Sequence, residues 1–453
     1  MRLPRALLIA VLSCAVSSVN AANFNQKKFE VNEPTFSSYF YADTVGPVGC
    51  AEIHPRLVSQ IENVVGYDWE KDHSENSNSL TVSHNAISVP ARLLFALSQT
   101  AVASQDDELL EHAKRLVLEI AEADTLSNTM TVAEVRAKGK RCYDGKGNTK
   151  AVCNFHSPQF AMQFSGNYMV SASLLWPHLS ETEQDVVSGY VDRMYKAYVR
   201  PVFNELRKGQ TMFSQMGNGG IAVLAYSYLK NDRQLAQKTF NQIFQNINNV
   251  FMNDGYIKVT SFRGVRGFWY HTYGVNSALA VLHLARQWNV NIPQEIEEKV
   301  TASAKLINLG IDDLQKFESR KSPTGKPYNA SYDKKDARPH VHQMAIAINE
   351  LSQSAVNVVV NTARDSTYIR KSKREGPSDF TIGFNPRCAV SETIREASIL
   401  PDKFSVGALR NAINTPVEVQ PDAINGWLND KDQRLKAMCA DPAKRKFVAD
   451  LCD

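Results

Sequence analysis

Two arginines, two tyrosines, a tryptophan and a histidine fall within the eleven residues from Arg263 to Tyr273. Guanidinium groups bind carboxylates through two parallel hydrogen bonds, and nearby positive charge favours the ionised form of a tyrosine. The segment therefore suits the binding of an acidic ligand, with Tyr270 as the candidate for proton transfer. Basic and aromatic side chains where a loop meets a helix are also typical of ordinary packing and capping, and this alternative stays open.

The elements that must hold this segment have the pattern of helices. Ala91–Thr100 and Leu109–Ala121 form a pair separated by a short polar turn, and Ser180-Glu181-Thr182-Glu183 is a capping box that predicts a helix start. Three further helices are predicted by Ile221–Leu229, by an amphipathic stretch between residues 235 and 251, and by an apolar stretch that begins near Gly274. The apolar positions that mark these faces are Val187, Tyr190, Val191, Met194 and Tyr198; Leu235, Phe240, Ile243, Phe244, Ile247 and Phe251; and Val275, Leu279, Leu282 and Ala285.

No sustained strand alternation occurs between Val89 and Leu309, and uniformly apolar helices alternate there with amphipathic ones. This succession predicts an all-α fold in which each hairpin supplies one inner and one outer helix, an incomplete α/α toroid. A plain helical bundle would give the same pattern and remains the alternative. The predicted divisions are a signal peptide (1–21), an irregular arm (22–88), the helical domain (89–360) and a less regular C-terminal extension (361–453).

The first residues have the form of a secretory signal. Arg2 and Arg5 precede the apolar run Ala6–Val16, which is too short to span a bilayer, and a cleavage site is expected after Ala21. Removal of this segment lowers the formal charge from +4 to +2. A nearly neutral chain with no lysine-rich tail is not a general polyanion or nucleic-acid binder, so an acidic partner needs a local basic cleft. We expect a secreted or periplasmic monomer with no membrane association after cleavage.

Six of the seven cysteines follow the signal segment. An even number in an exported chain indicates up to three disulfides, and short loops favour Cys142–Cys153 and Cys439–Cys452, which leaves Cys50–Cys388. No Cys-x-x-Cys or His-Glu-x-x-His spacing occurs, so neither a metal nor another cofactor is predicted. The basic segment Arg136–Lys150, which Cys142 and Cys153 would pinch, is either a cationic lid over a cleft or a solvated surface loop.

Two motifs resemble the alginate lyases of polysaccharide lyase family 5 and their relatives, over roughly Leu109–Leu351. The first is Asp254-Gly255-Tyr256 followed by Arg263, Arg266 and Tyr270-His271-x-Tyr273; the family has an Asp/Gln-Gly-Phe turn, an arginine cluster and Tyr-His-Asn-Tyr before an apolar helix. The second is Gly217-Asn218-Gly219, where the family has Asn-Asn-His. The resemblance implies the toroid and the cleavage of a polyuronate by β-elimination.

In that reaction the C5 proton of a uronate is removed and the oxygen on C4 is expelled. The carboxylate must be neutralised so that the developing enolate is stabilised, and the resemblance gives this role to Arg263 and Asn218. Tyr270 is the expected base and acid, because both positions lie on one face of a mannuronate or glucuronate. Arg263 and Arg266 are expected to lower its pKa from about 10.

One family histidine is replaced by Gly219, so another group must supply its function or the function is absent. His156 and His271 are the candidates, although a lone histidine is more often structural. The expected substrate contacts come from Arg266, Trp269, Tyr273, His340 and His342. Because of this replacement, the expected substrate is either mannuronate-rich alginate or a glucuronan, and an inactive enzyme is a further alternative.

Three functions remain in competition at this point. The first is the exported lyase, without metal or cofactor. The second is a non-catalytic protein on the same fold that binds or exports an acidic polysaccharide. The third is a glycoside hydrolase, which needs two carboxylates across a cleft; Asp254 is the single carboxylate beside the Arg263–Tyr273 segment and is better interpreted as a turn residue.

Overall fold

A computed structural model of the chain describes residues 61–67, 87, 89–104, 106–137, 156–207, 213–262, 267–288, 290–319 and 440. The chain separates into two units, Met1–Leu409 and Arg410–Asp453, and every described residue except Ala440 lies in the first. About 80% of the described residues are helical and no strand occurs among them, which confirms the all-α prediction for this part. Among the helices described, none has the length and apolar character needed to cross a bilayer.

The helices of the described part are numbered here in chain order. They are α1 (Val89–Ser104), α2 (Asp107–Glu122), α3 (Val132–Ala137), α4 (His156–Leu175), α5 (Glu181–Met194), α6 (Arg200–Leu206), α7 (Phe213–Leu229), α8 (Arg233–Val250), α9 (Gly267–Gln287), α10 (Gln294–Asp312) and α11 (Leu314–Ser319). A 3₁₀ turn, Trp176–His178, follows α4, and a π-helical turn, Tyr195–Val199, joins α5 to α6.

Polar residues before the helices satisfy their first backbone N–H groups. The predicted capping box is confirmed: the Glu183 carboxylate accepts from the Ser180 backbone N–H at 2.7 Å, and the Ser180 hydroxyl accepts from the Glu183 N–H. Asp106 and Asp232 are simple N-caps of α2 and α8: their carboxylates accept from the backbone N–H groups of Leu109 and Leu235. The predicted apolar face of α5 is also buried, with Val187, Tyr190, Val191 and Met194.

Two helices begin earlier than the sequence predicts. Helix α7 begins at Phe213 instead of Ile221. Glycines in its first two turns hide the helical pattern in the sequence, and close packing requires them: a Cβ on Gly220 would lie 2.5 Å from Cδ1 of Ile243. Helix α9 begins at Gly267 instead of near Gly274, so Tyr270 is in its first turn and not in a loop.

Equivalent ends of α7 and α9 lie side by side. A Cβ on Gly274 of α9 would lie 4.0 Å from Cβ of Phe213 at the start of α7. At the other end the ring of Tyr228 stacks on Trp288, just after α9, with ring centroids 6.2 Å apart. The two helices are therefore parallel.

Helices α5 and α7 are antiparallel. The Tyr226 hydroxyl donates to Asp192 at 2.9 Å, whereas Lys230, further along the chain, donates to Ser188, earlier in α5. Because α4 packs against α5 and is joined to it by five residues, α4 is antiparallel to α5 and hence parallel to α7. Helix α4 also packs directly against α7.

Helix α2 is parallel to α5. Asp124, just after α2, pairs with Arg193 near the end of α5 at 2.8 Å, and Lys114 in α2 acts electrostatically on Glu183 at the start of α5. Since α1 and α2 form a hairpin, α1 is parallel to α4, against which it packs. Four helices of the described part, α1, α4, α7 and α9, therefore form a parallel layer, called here the inner layer because most of its described side chains are buried. Their starts, Val89, His156, Phe213 and Gly267, lie at one end.

Gly310 lets α10 approach α9. A Cβ at this position would lie 2.1 Å from Cε2 of Phe268, whose ring is fully buried and packs edge-on against Phe317. We expect Gly310→Ala to lower the free energy of unfolding by about 2 kcal/mol, because overpacking outweighs the gain of about 1 kcal/mol in helix propensity. Urea unfolding measures the change.

The matched control is Gly189→Ala in α5, where the nearest atom to a Cβ is the Arg193 guanidinium at 3.6 Å. This substitution should leave stability unchanged or raise it by up to about 1 kcal/mol. In a Phe268→Ala background the penalty of Gly310→Ala should disappear. A penalty of equal size in both backgrounds would contradict the ring contact as its cause.

Candidate functional site

Tyr270 lies in the first turn of α9, at the end of the inner layer where the four inner helices begin, and its side chain is partly exposed. Arg263 and Arg266 fall outside the described residues, and only the backbone of Trp269 is described. His156 is the first residue of α4, so its backbone lies at the same end of the layer; its side chain is not described. His340 and His342, residues 138–150 of the basic segment Arg136–Lys150, and all six cysteines after the signal segment also fall outside the described residues.

His271 points away from the surface and both of its ring nitrogens are bonded. Its side chain has 0% exposure, Nε2 lies 2.9 Å from the Ser303 carbonyl oxygen, and Nδ1 lies 2.9 Å from the Ser261 hydroxyl. A carbonyl oxygen can only accept, so Nε2 carries the proton and Nδ1 accepts from Ser261. The rings of Tyr256 and Phe317 pack around the imidazole.

The burial of His271 also determines its charge. Burial lowers its pKa from the ordinary 6.5 to about 4, and the hydrogen bond to the Ser303 carbonyl opposes only part of this shift. The ring is therefore neutral near pH 7. The sequence made His271 a candidate for the function of the missing family histidine. In the structure its ring has no exposed surface and both of its nitrogens are bonded.

Asn218 is also buried, with 2% exposure, and its Oδ1 accepts from the Ser277 hydroxyl at 3.2 Å. The helices are close here: a Cβ on Gly217 would lie 2.8 Å from Cβ of Ser277. Ser277 follows Tyr270 by seven residues, which is about 10 Å of helix rise. Asn218 thus lies deeper in the layer than Tyr270, and this does not match the expectation that both contact one sugar ring.

Position 219 faces α6. A Cβ on Gly219 would lie 3.3 Å from Cδ2 of Phe203 and 3.7 Å from Cδ1 of Leu206. Apolar side chains therefore occupy the direction in which a histidine here would extend, which explains the glycine. Tyr273, expected to stack on a sugar, is buried at 4% exposure.

The turn formed by residues 257–262, called here the 257–262 turn, links the starts of α7 and α9. The Thr260 hydroxyl accepts from the backbone N–H of Phe213 at 3.3 Å, and the Ser261 hydroxyl donates to Nδ1 of His271. Val259 has φ +65°, a strained conformation for a β-branched residue. Nothing in the sequence predicted this turn beyond the pair Thr260-Ser261 just before the Arg263–Tyr273 segment.

The loop before this turn agrees with the sequence interpretation of Asp254. Its carboxylate accepts from the Tyr256 N–H at 3.3 Å, the contact of a turn residue, and Gly255 adopts φ +89° where a Cβ would meet the Ala302 carbonyl at 2.5 Å. In the described part of the chain, no group of three or more histidine, cysteine and carboxylate side chains is arranged to hold a metal ion.

A scan against known protein families finds no match to this chain, and a search of curated proteins finds none either.

Proposed function

We propose that the chain is an exported polyuronate lyase that cleaves mannuronate-rich alginate by β-elimination, with a glucuronan as the alternative substrate. The observation that supports this most directly is the position of Tyr270, partly exposed in the first turn of α9. The starts of four inner helices collect at that end of the layer. Helix N-termini carry partial positive charge, so this end suits an anionic polymer.

In the proposed reaction Arg263 neutralises the uronate carboxylate, and Arg266 holds the neighbouring acidic sugar. The Tyr270 phenolate takes the C5 proton, a double bond forms between C4 and C5, and the bond from C4 to its oxygen breaks. The same tyrosine then returns its proton to the departing oxygen, so protons and electrons balance without a metal or cofactor. His156, at the start of α4, is the proposed second neutralising group.

The roles of the two buried residues differ from those of a family enzyme. Asn218 and His271 have 2% and 0% exposure, so we assign them to positioning: Asn218 joins α7 to α9 through Ser277, and His271 anchors the first turn of α9. Trp269, His340 and His342 remain proposed substrate contacts.

We also propose that the helices form the incomplete α/α toroid. Parallel inner helices that pack in chain order, each followed by an antiparallel outer helix, are the arrangement that this fold requires. In such a toroid the polymer would bind at the N-terminal end of the inner layer. The proposal includes removal of residues 1–21 and action as a monomer in the periplasm or the medium.

Incubation with alginate, polymannuronate and glucuronan, followed by ultraviolet absorbance of the unsaturated product, tests the lyase. Product from any polymer supports it, and the preferred polymer identifies the substrate. Reducing ends without unsaturation would contradict it and indicate a hydrolase.

A non-catalytic polysaccharide-binding protein is the second candidate. Two observations favour it. The Asn218 amide is buried, and position 219, where the family has a histidine, is a glycine packed against apolar side chains, so neither group is available to neutralise a carboxylate. Binding of a polyuronate by calorimetry, with no unsaturated product and no new reducing ends, would support this candidate over the lyase.

A further inference from the structure

Three buried hydrogen bonds connect the 257–262 turn to α9 and α10. The Ile257 N–H donates to the Ser261 hydroxyl oxygen at 2.8 Å, and that hydroxyl donates to Nδ1 of His271 at 2.9 Å. The Nε2–H of His271 then donates to the Ser303 carbonyl at 2.9 Å. Ser261 and His271 have 1% and 0% exposure, so water does not compete for these bonds.

Because burial keeps His271 neutral near pH 7, only one arrangement of protons satisfies this relay. The ends are fixed, because the Ile257 backbone N–H can only donate and the Ser303 carbonyl can only accept. The neutral His271 therefore has its proton on Nε2, and the Ser261 hydroxyl accepts from the Ile257 N–H and donates to Nδ1 of His271. A change at Ser261 leaves both the Ile257 N–H and Nδ1 of His271 without this partner.

The relay acts at the point where the chain enters the proposed site. His271 follows Tyr270 directly, at the end of the first turn of α9. The backbone N–H groups of a first turn have no partners within the helix, so this turn depends on contacts with other parts of the chain. On the other side, Val259 holds a backbone conformation that persists only where surrounding contacts impose it. Thr260 and Ser261, the next two residues, provide such contacts with α7 and α9.

We propose that Ser261 is a positioning residue that sets the orientation of Tyr270 through His271. Its hydroxyl fixes the tautomer and rotation of the imidazole, and the imidazole fixes the first helical turn that carries the Tyr270 ring. The catalytic consequence rests on the lyase function proposed above. The orientation of the Tyr270 ring can be measured without it.

The kinetic test is Ser261→Ala, with Ser303→Ala as the matched control. The Ser303 hydroxyl donates to the Lys299 carbonyl within α10, so its removal takes away a buried hydroxyl but leaves the carbonyl that His271 needs. We expect Ser261→Ala to lower kcat by about 10- to 100-fold with little change in KM, since a small misplacement of an acid-base group is costly. Ser303→Ala should stay near the wild type, and Ser261→Thr, which keeps the hydroxyl, should recover most of the loss.

Equal losses in Ser261→Ala and Ser303→Ala would overturn the proposal, because they would show a general loss of packing. An unchanged kcat in Ser261→Ala would overturn it as well. These outcomes require turnover in the wild type.

The independent test is nuclear magnetic resonance of the wild-type chain and the two serine variants. The wild type should show a neutral His271 with its proton on Nε2. The Tyr270 ring signals, assigned with Tyr270→Phe, should move in Ser261→Ala and stay in place in Ser303→Ala. A proton on Nδ1, or unmoved Tyr270 signals, would overturn the proposal. The expected signals in a protein that cleaves none of the polymers would uphold the relay and reject the lyase.

Discussion

Tyr270→Phe is expected to reduce turnover of the preferred uronate polymer by about 1,000-fold or more. General acid-base groups typically contribute 10²- to 10⁴-fold, and here one oxygen serves as both base and acid. The ring and its partly exposed position at the start of α9 are retained, so the dissociation constant of the polymer should change little. Ultraviolet absorbance measures kcat, and calorimetry measures binding.

The matched control is Tyr273→Phe, which removes the same atom three residues further along the same helix. Tyr273 is buried at 4% exposure, so its hydroxyl does not face the polymer. Folded Tyr273→Phe should therefore turn over substrate at close to the wild-type rate. If Tyr270→Phe keeps more than a tenth of the wild-type kcat, or if the two variants lose activity equally, Tyr270 is not the acid-base group.

The sequence predicted the helices whose ends carry local signals. The capping box at Ser180 and the apolar face of α5 are confirmed, because both depend on residues three or four positions apart. The starts of α7 and α9 were predicted too late. Gly217 and Gly220 have low helix propensity. Only the structure shows why they are present, because a Cβ at either position would collide with Ser277 or Ile243.

The sequence predicted that the segment containing Tyr270 leads into an apolar helix, but not which of its side chains are buried. The segment that contains Tyr270 does begin an inner helix, at the end of the layer where α4 and α7 also begin. The burial of His271 was not predictable, because its partners lie 10 and 32 residues away in the sequence, at Ser261 and Ser303. The sequence of a motif does not show whether its histidine faces a ligand or a buried carbonyl oxygen.

The orientation of the inner layer likewise depends on distant contacts. Alternating apolar and amphipathic stretches predict hairpins, yet a bundle and a toroid share that pattern. The pairing of Tyr228 with Trp288, 60 residues apart, shows that α7 and α9 are parallel. This alignment brings the starts of the inner helices together, and so it supports an anion-binding end that composition alone did not indicate.

Acidification from pH 7 to pH 5 is expected to lower the free energy of unfolding by about 2 kcal/mol through His271 alone. The unfolded chain binds a proton with the ordinary pKa of 6.5, whereas burial lowers the folded-state pKa to about 4. The stabilisation is therefore complete above pH 6.5 and is lost as the pH falls toward 4, to a total of about 3 kcal/mol. Below pH 4 this contribution stays constant.

His271→Gln provides the comparison, because it removes the titrating group from the same buried position. The variant will be less stable at pH 7, but its urea-unfolding free energy should fall by about 2 kcal/mol less than that of the wild type between pH 7 and pH 5. Burial also lowers the pKa of His112, and Arg115 beside it acts in the same direction, so both proteins share that contribution and it cancels in the difference. Parallel pH profiles for the wild type and His271→Gln would show that His271 is not held neutral by burial and that the hydrogen bond from Ser261 to Nδ1 is not maintained.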